Sequence, residues 1–201
     1  MSKNLKQINA FHDDTQYQFL LCGRQSGKTT LIKWKIAKYL SLMPKGTEIF
    51  YVAPTNQQAI DLMWNPLCDL FDYHDWKYES NKQAQAFYFS NRKTVYLIGA
   101  EKVRRIRGHR VFHVFFDECG FYQPSMEEVW DAATPALATV NGGATFATTP
   151  PGKATSAFEF YMKNLGKPNW SYHTWASIDN PAMSKEFVEN AKRNSDERSY
   201  K

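Results

Sequence analysis

Residues 20–30 read LLCGRQSGKTT, a Gly-Lys-Thr triplet that follows a short apolar run and a small polar turn. Backbone N–H groups at a helix start after such a turn point into a concavity that favours anions, and a lysine there adds a point charge. The run matches the phosphate-binding pattern G-x-x-x-x-G-K-[ST] except at its first position, where Cys22 replaces glycine. In such a loop Arg24, Gln25, Ser26 and Gly27 form the cradle, with Thr30 at its helical end. Lys28 reaches the β- and γ-phosphates of ATP, and the Thr29 hydroxyl holds Mg²⁺. A side chain at position 27 would crowd the phosphates. Position 22 is less demanding, because Gly23 beside it can take up dihedrals closed to other residues.

About 90 residues downstream the run VFHVFF, residues 111–116, ends in Asp117 and Glu118. Open α/β sheets place ligands at the carboxyl ends of their strands, where these two carboxylates fall. Asp117 would hold Mg²⁺ through water, and Glu118 would orient and polarise an attacking water. FATTPPG ends a further strand in Thr148 and Thr149. Short hydroxyls there could sense the γ-phosphate, or could equally begin a turn before Pro150. Charge developing on a transferred phosphoryl group calls for a guanidinium, for which Arg24 and Arg107 are the candidates. Arg104, Arg105 and Arg110 read as ordinary surface charge.

The elements that must hold these residues alternate between strand and helix, the signature of helices packed on a parallel sheet. QFLLC, EIFYVAP, VFHVFF, GGATFATT and WSYHTWAS read as strands, and AFYFSNRKTVYLIG as a hairpin turning at SNRK. Helices are expected over KTTLIKWKIAKYLSLM, with Leu31, Trp34, Ile36 and Leu40 near helical spacing, and over TNQQAIDLMWNPL, with Ala59, Leu62 and Met63 on one side and a Thr55 or Asn56 cap. SMEEVWDAATPALA should be helical until Pro135, SAFEFYMKNL helical throughout, and SKEFVENAKRNSDERSYK a charged helix cut by the chain end. The expected fold is an α/β P-loop NTPase of the RecA-like kind, with a mostly parallel central sheet flanked by helices.

With 201 residues, 43% apolar, the chain fits one domain with a two-sided core. No apolar run approaches the roughly 20 residues that span a bilayer, and the N-terminus lacks the apolar core of a signal peptide, so a soluble protein kept inside a cell is expected. Cys22, Cys68 and Cys119 are odd in number and form no C-x-x-C pair, which points to reduced thiols and no structural metal. DYHD, residues 72–75, reads as a solvated turn. The net charge of +5 permits a polyanionic partner.

Taken together, these segments resemble the large terminase subunits, the ATP-driven DNA-packaging motors of tailed bacteriophages. Members have a loop of the form x-x-R-x-x-G-K-[ST], which CGRQSGKT fits with its Cys22 in place. YVAPTNQQAIDLMW, RIRGHRVFHVFFDECGF, TTPPG and SIDNPAMSKEFV are similar to further family segments. The resemblance implies that Lys28 and Thr29 bind phosphate and Mg²⁺, that Asp117 coordinates the metal and that Glu118 is catalytic. It also implies that Thr148 and Thr149 couple the site to motion and that Arg24 acts within the subunit. Arg107 lies where some members supply an arginine to a neighbouring subunit. Gln7 stands near the place of an adenine-contacting glutamine, with Gln16 and Gln18 as competitors. Double-stranded DNA, a portal protein, a small terminase subunit and a pentameric ring in the host cytoplasm are the implied partners and setting. Residues 1–201 would be a single ATPase domain, without the family's C-terminal nuclease. Two other functions fit the same motifs: a helicase-like ATPase fragment, which unwinding by a longer chain would reveal, and a non-hydrolysing assembly module, which would never release phosphate.

Overall fold

A computed structural model describes residues 4–150, 152, 155–184, 186, 189, 190 and 193. The strands β1 (Tyr17–Leu21), β2 (Glu48–Ala53), β5 (Lys93–Gly99), β6 (Val111–Asp117), β7 (Gly143–Thr148) and β8 (Trp170–His173) run parallel. Two short strands, β3 (Tyr78–Asn81) and β4 (Ala86–Phe89), extend one edge antiparallel. The sheet order is β3-β4-β5-β2-β6-β7-β1-β8. The helices are α1 (Leu5–His12), α2 (Lys28–Leu42), α3 (Asn56–Tyr73), α4 (Met126–Ala138) and α5 (Ser156–Asn164).

Alternation along each strand explains the two cores. Leu20, Ile49, Tyr51, Phe115 and Ala147 pack with Ile32, Ile36 and Met63 on one face. Phe19, Phe50, Val52, Val114, Phe116 and Phe146 face the other way, against Val129, Ala133 and Phe160. Strands covered on both faces have little need of polar residues, hence the nearly continuous apolar runs at β2 and β6. The β1–β7 and β6–β7 registers bring Leu21, Thr148 and the residue after Asp117 level at the carboxyl ends of the central strands.

Several details differ from the sequence expectations. Trp34 and Leu62 lie off the buried stripes of their helices, 41% and 40% exposed, because the stripe of α2 runs through Leu31, Ile32, Lys35, Ile36 and Tyr39 and that of α3 through Ala59, Met63 and Leu67. Pro135 does not stop α4, which continues to Ala138. It falls in the last turn, where its missing N–H costs a single helical bond. The hairpin is there, but β3 adds an unforeseen outer strand, and α1 was also not foreseen. β3 reads YESN, too polar to announce itself as a strand. The helix expected over residues 184–201 lies largely outside the described residues. No helix among the described residues is long and apolar enough to cross a membrane, and all three cysteines are free.

Candidate active site

The loop after β1 leads into α2 with Gly27 as the N-cap residue, at φ +89° and without a side-chain cap. Gln25 is also left-handed, at φ +53°. The helix start therefore presents uncapped N–H groups, which is the physical basis of an anion site. Cys22 shows why glycine is dispensable at its position. Its N–H continues the strand pairing by donating to the Thr148 carbonyl at 3.1 Å, its side chain is buried, and its φ is not positive. Burial pushes its thiol up to about 12. Gly23 is needed for a different reason from the one its flexibility suggested: its φ is not positive either, but a Cβ there would come within 2.6 Å of the Ser177 N and Oγ.

Lys28 is 4% exposed. Its Nζ donates to the Gly23 carbonyl at 3.0 Å and the Cys22 carbonyl at 3.4 Å, and stands 3.5 Å from Glu118 Oε1. The Thr29 hydroxyl donates to Asp117 Oδ2 at 2.8 Å. The Tyr51 hydroxyl, from β2, donates to the same oxygen at 2.9 Å. Asp117 is fully buried, which raises its carboxyl from the usual range to about 6 despite the hydrogen bonds from Thr29 and Tyr51.

Glu118 leaves β6 in a left-handed conformation, φ +49°, which turns its side chain out of the strand direction. Its Oε2 lies 3.5 Å from both the N and Oγ1 of Thr149. Thr148 is tied to the same turn, accepting the Gly120 N–H at 3.2 Å and donating to the Thr149 carbonyl at 2.9 Å. Arg24, Gln25, Glu118 and Thr149 line a cleft of about 500 Å³, completed by Pro54 and Thr55 of the β2–α3 connection and by Gln58 in the first turn of α3. Thr30 is exposed on the first turn of α2, and Ser26 is buried.

Gln7 donates from Nε2 to the Gly27 carbonyl at 2.8 Å. Gln16 instead bonds the Gly142 carbonyl before β7, and Gln18 is buried against the Ala10 carbonyl and Lys35. Of the three glutamines only Gln7 is brought to the loop. Arg107 is not brought there: it is exposed and precedes β6 by four residues, near the Arg110 carbonyl that accepts the Glu48 N–H at the start of β2. It sits toward the opposite end of the strand from Asp117, about 20 Å away along seven residues. Tyr51 and the segment 175–180 also touch the site; both fall in or beside segments that carried the family resemblance, but no residue in them was singled out, because a tyrosine in an apolar strand reads as core.

The loop-bearing β1 and the acidic β6, with β7 between them, define a P-loop NTPase of the RecA-like class. The family profile described as "Terminase large subunit, T4likevirus-type, N-terminal" matches residues 19–198, and the chain belongs to that family. No curated protein matches the chain at the sequence level. Among solved structures, the large terminase from a thermophilic bacteriophage superposes with a TM-score of 0.82 at 17% identity, over 97% of this chain and 51% of that one. The Thermus phage P74-26 large terminase ATPase domain gives a TM-score of 0.74 at 18% identity, covering 96% and 89%. The HK97 bacteriophage large terminase gives 0.74 at 15%, covering 96% and 48%. The chain thus spans about half the length of the first and third of these proteins.

Proposed function

We propose that this chain is an ATP-hydrolysing motor domain that drives double-stranded viral DNA into a procapsid. The observation behind the reading is the convergence of three strand ends beside one cleft: Lys28 and Thr29 after β1, Asp117 and Glu118 on and after β6, and Thr148 and Thr149 at β7, with Glu118 and Thr149 lining the cleft itself. The distances are 2.8 Å from Thr29 to Asp117 and 3.5 Å from Lys28 to Glu118. The large terminase of the thermophilic bacteriophage has been solved with ADP and with ATP-gamma-S, which supports a nucleotide at the corresponding loop here.

The donors fit Mg²⁺, a hard cation that takes few protein oxygens and keeps several waters. Thr29 and the buried Asp117 carboxylate would hold it, and when bound it would offset phosphate charge. The uncapped N–H groups of the loop and the Lys28 ammonium bind the phosphates and orient the γ-phosphoryl group toward Glu118. The Glu118 carboxylate takes a proton from water approaching along the cleft, while Thr149 keeps that carboxylate in place. Arg24, on the cleft wall, supplies positive charge within the subunit. Arg107, remote from its own cleft, serves the cleft of a neighbouring copy in a ring. Gln7, bonded to the loop through the Gly27 carbonyl, would meet the base. Portal protein, small terminase subunit and a pentameric assembly in the host cytoplasm complete the reading.

Phosphate release from ATP over a wide range of protein concentration tests it. Turnover per subunit should rise with concentration, and Arg107→Ala should lower turnover only where subunits associate. Concentration-independent turnover would place every catalytic group within one subunit, and absence of turnover with DNA and portal protein present would leave a passive module.

A further inference from the structure

Residues 174–180 follow β8, which ends at His173, and run into the segment SIDNPAMSKEFV that is similar to a family segment. They lie against the carbonyl side of the phosphate loop and are not among the residues that line the cleft. Ser177 Oγ donates to the Arg24 carbonyl at 2.6 Å, Asn180 Nδ2 to the Gln25 carbonyl at 2.5 Å, and Trp175 Nε1 to the Ser26 carbonyl at 2.8 Å. Gln7 Nε2 takes the next carbonyl, that of Gly27. Four consecutive carbonyls of the loop are thus held by side chains from two distant segments. Lys6 Nζ bonds Asp179 Oδ2 at 3.0 Å and ties those segments to each other, and the Gly23 N–H donates to the Trp175 carbonyl at 2.9 Å.

A trans peptide carries its C=O and the following N–H on opposite sides. Fixing the carbonyls of residues 24–27 from behind therefore aims the N–H groups of Gln25, Ser26, Gly27 and Lys28 away from the clamp. None of these four N–H groups donates to an acceptor among the described residues. The left-handed φ of Gln25 is uphill for a residue with a Cβ and persists only where its surroundings over-determine it. The Trp175 indole, 3% exposed, supplies the most buried of these constraints.

We propose that Trp175, Ser177 and Asn180 are positioning residues, a back-side clamp that pre-forms the anion cradle so that phosphate binding does not have to order the loop. The proposal rests on the nucleotide reading of the site. It also explains Gly23, since the clamp can approach the loop only where no Cβ intervenes.

The test is ADP affinity by calorimetry, with KM and kcat for ATP, on the full chain carrying Trp175→Phe, Asn180→Asp or Ser177→Ala. Trp175→Phe keeps the ring and removes the donor. Asn180→Asp keeps the oxygen that accepts the Ala182 N–H at 3.1 Å and loses the amide donor. Kd for ADP should weaken about tenfold for the first two, as expected when a carbonyl loses its partner, and less for Ser177→Ala. KM should rise with Kd, and kcat should change by a smaller factor, because a cradle that holds ground and transition states alike acts on binding. A merely structural role would lower the active fraction and the melting temperature while leaving Kd of the folded protein unmoved. Folded Asn180→Asp and Ser177→Ala proteins that bind ADP within about twofold of wild type would overturn the clamp, even if Trp175→Phe proved unstable. A wild-type chain that binds no ADP would overturn the nucleotide site itself and the clamp with it.

Discussion

Two buried polar clusters lie on the α2 side of the sheet, and they are satisfied to different degrees. In one, Asp13 accepts from Thr15 Oγ1 at 2.6 Å and Gln18 Nε2 at 3.4 Å and pairs with His173 Nε2 at 2.6 Å, while Lys35 Nζ donates to Gln18 Oε1 at 2.7 Å and the Asp13 carbonyl at 2.9 Å. Burial alone would raise the Asp13 carboxyl, but hydrogen bonds from Thr15 and the pairing with His173 hold it well below the usual carboxylate range. In the other, Asp117 stays above that range, at about 6, and Lys28 has only carbonyls and a carboxylate 3.5 Å away. A network whose members are fully paired rigidifies a fold, whereas one left short of counter-charge retains capacity for a ligand. The first cluster joins α1, β1, α2 and β8; the second spans the strand ends at the cleft.

Mutations should separate the two. Glu118→Gln should reduce turnover by on the order of a hundredfold or more while nucleotide still binds, and Lys28→Ala should abolish binding without lowering the melting temperature. Equal loss of binding in both variants, read by ADP titration beside phosphate release, would merge their roles. In the paired cluster, Asp13→Ala should cost about 2 kcal/mol in urea unfolding, by leaving His173 without its carboxylate partner and Thr15 without its acceptor, while ADP affinity of the folded protein is retained. A loss confined to ADP binding would erase the difference between the clusters.

Tyr51→Phe should raise the Mg²⁺ concentration needed for half-maximal hydrolysis about tenfold, since it removes a donor that orients the Asp117 carboxylate. A further effect concerns pH. Burial lowers the Lys35 amine to about 8, so between roughly pH 8 and 10 the unfolded chain binds a proton that the folded chain does not. Stability from this group should therefore rise with pH across that window, by at most about 1.4 kcal/mol per pH unit. Lys35→Met should remove the rise in urea midpoints measured from about pH 7 to 10. Asp13 acts in the opposite range. Its depressed carboxyl stabilises the fold above the ordinary aspartate value, and that contribution is lost as pH falls through the folded value.

Much of the fold was legible because its signals are local. A buried strand, a glycine-bearing turn and a helix start are adjacent in sequence at residues 17–42, and β6 shows its burial as VFHVFF and its exit as Asp117 and Glu118. β3 was not legible, since YESN has no apolar alternation, and the exposure of Trp34 depended on which face of α2 the sheet covered. Tyr51 was hidden for a similar reason: only the β2–β6 pairing puts its hydroxyl at Asp117.

The parts of the site could be read residue by residue, since side-chain type and short-range spacing decide what a loop or a strand end can bind. How those parts meet required the folded chain. The insertion of β7 between β1 and β6 places Thr148 and Thr149 between the loop and the acidic pair. The return of the chain at β8 brings Trp175, Ser177 and Asn180 behind the loop from about 150 residues away, and the β5–β6 connection carries Arg107 to the far end of the strand. Strand order follows from burying both faces of the sheet at once, a condition on the whole chain that no local window of sequence contains.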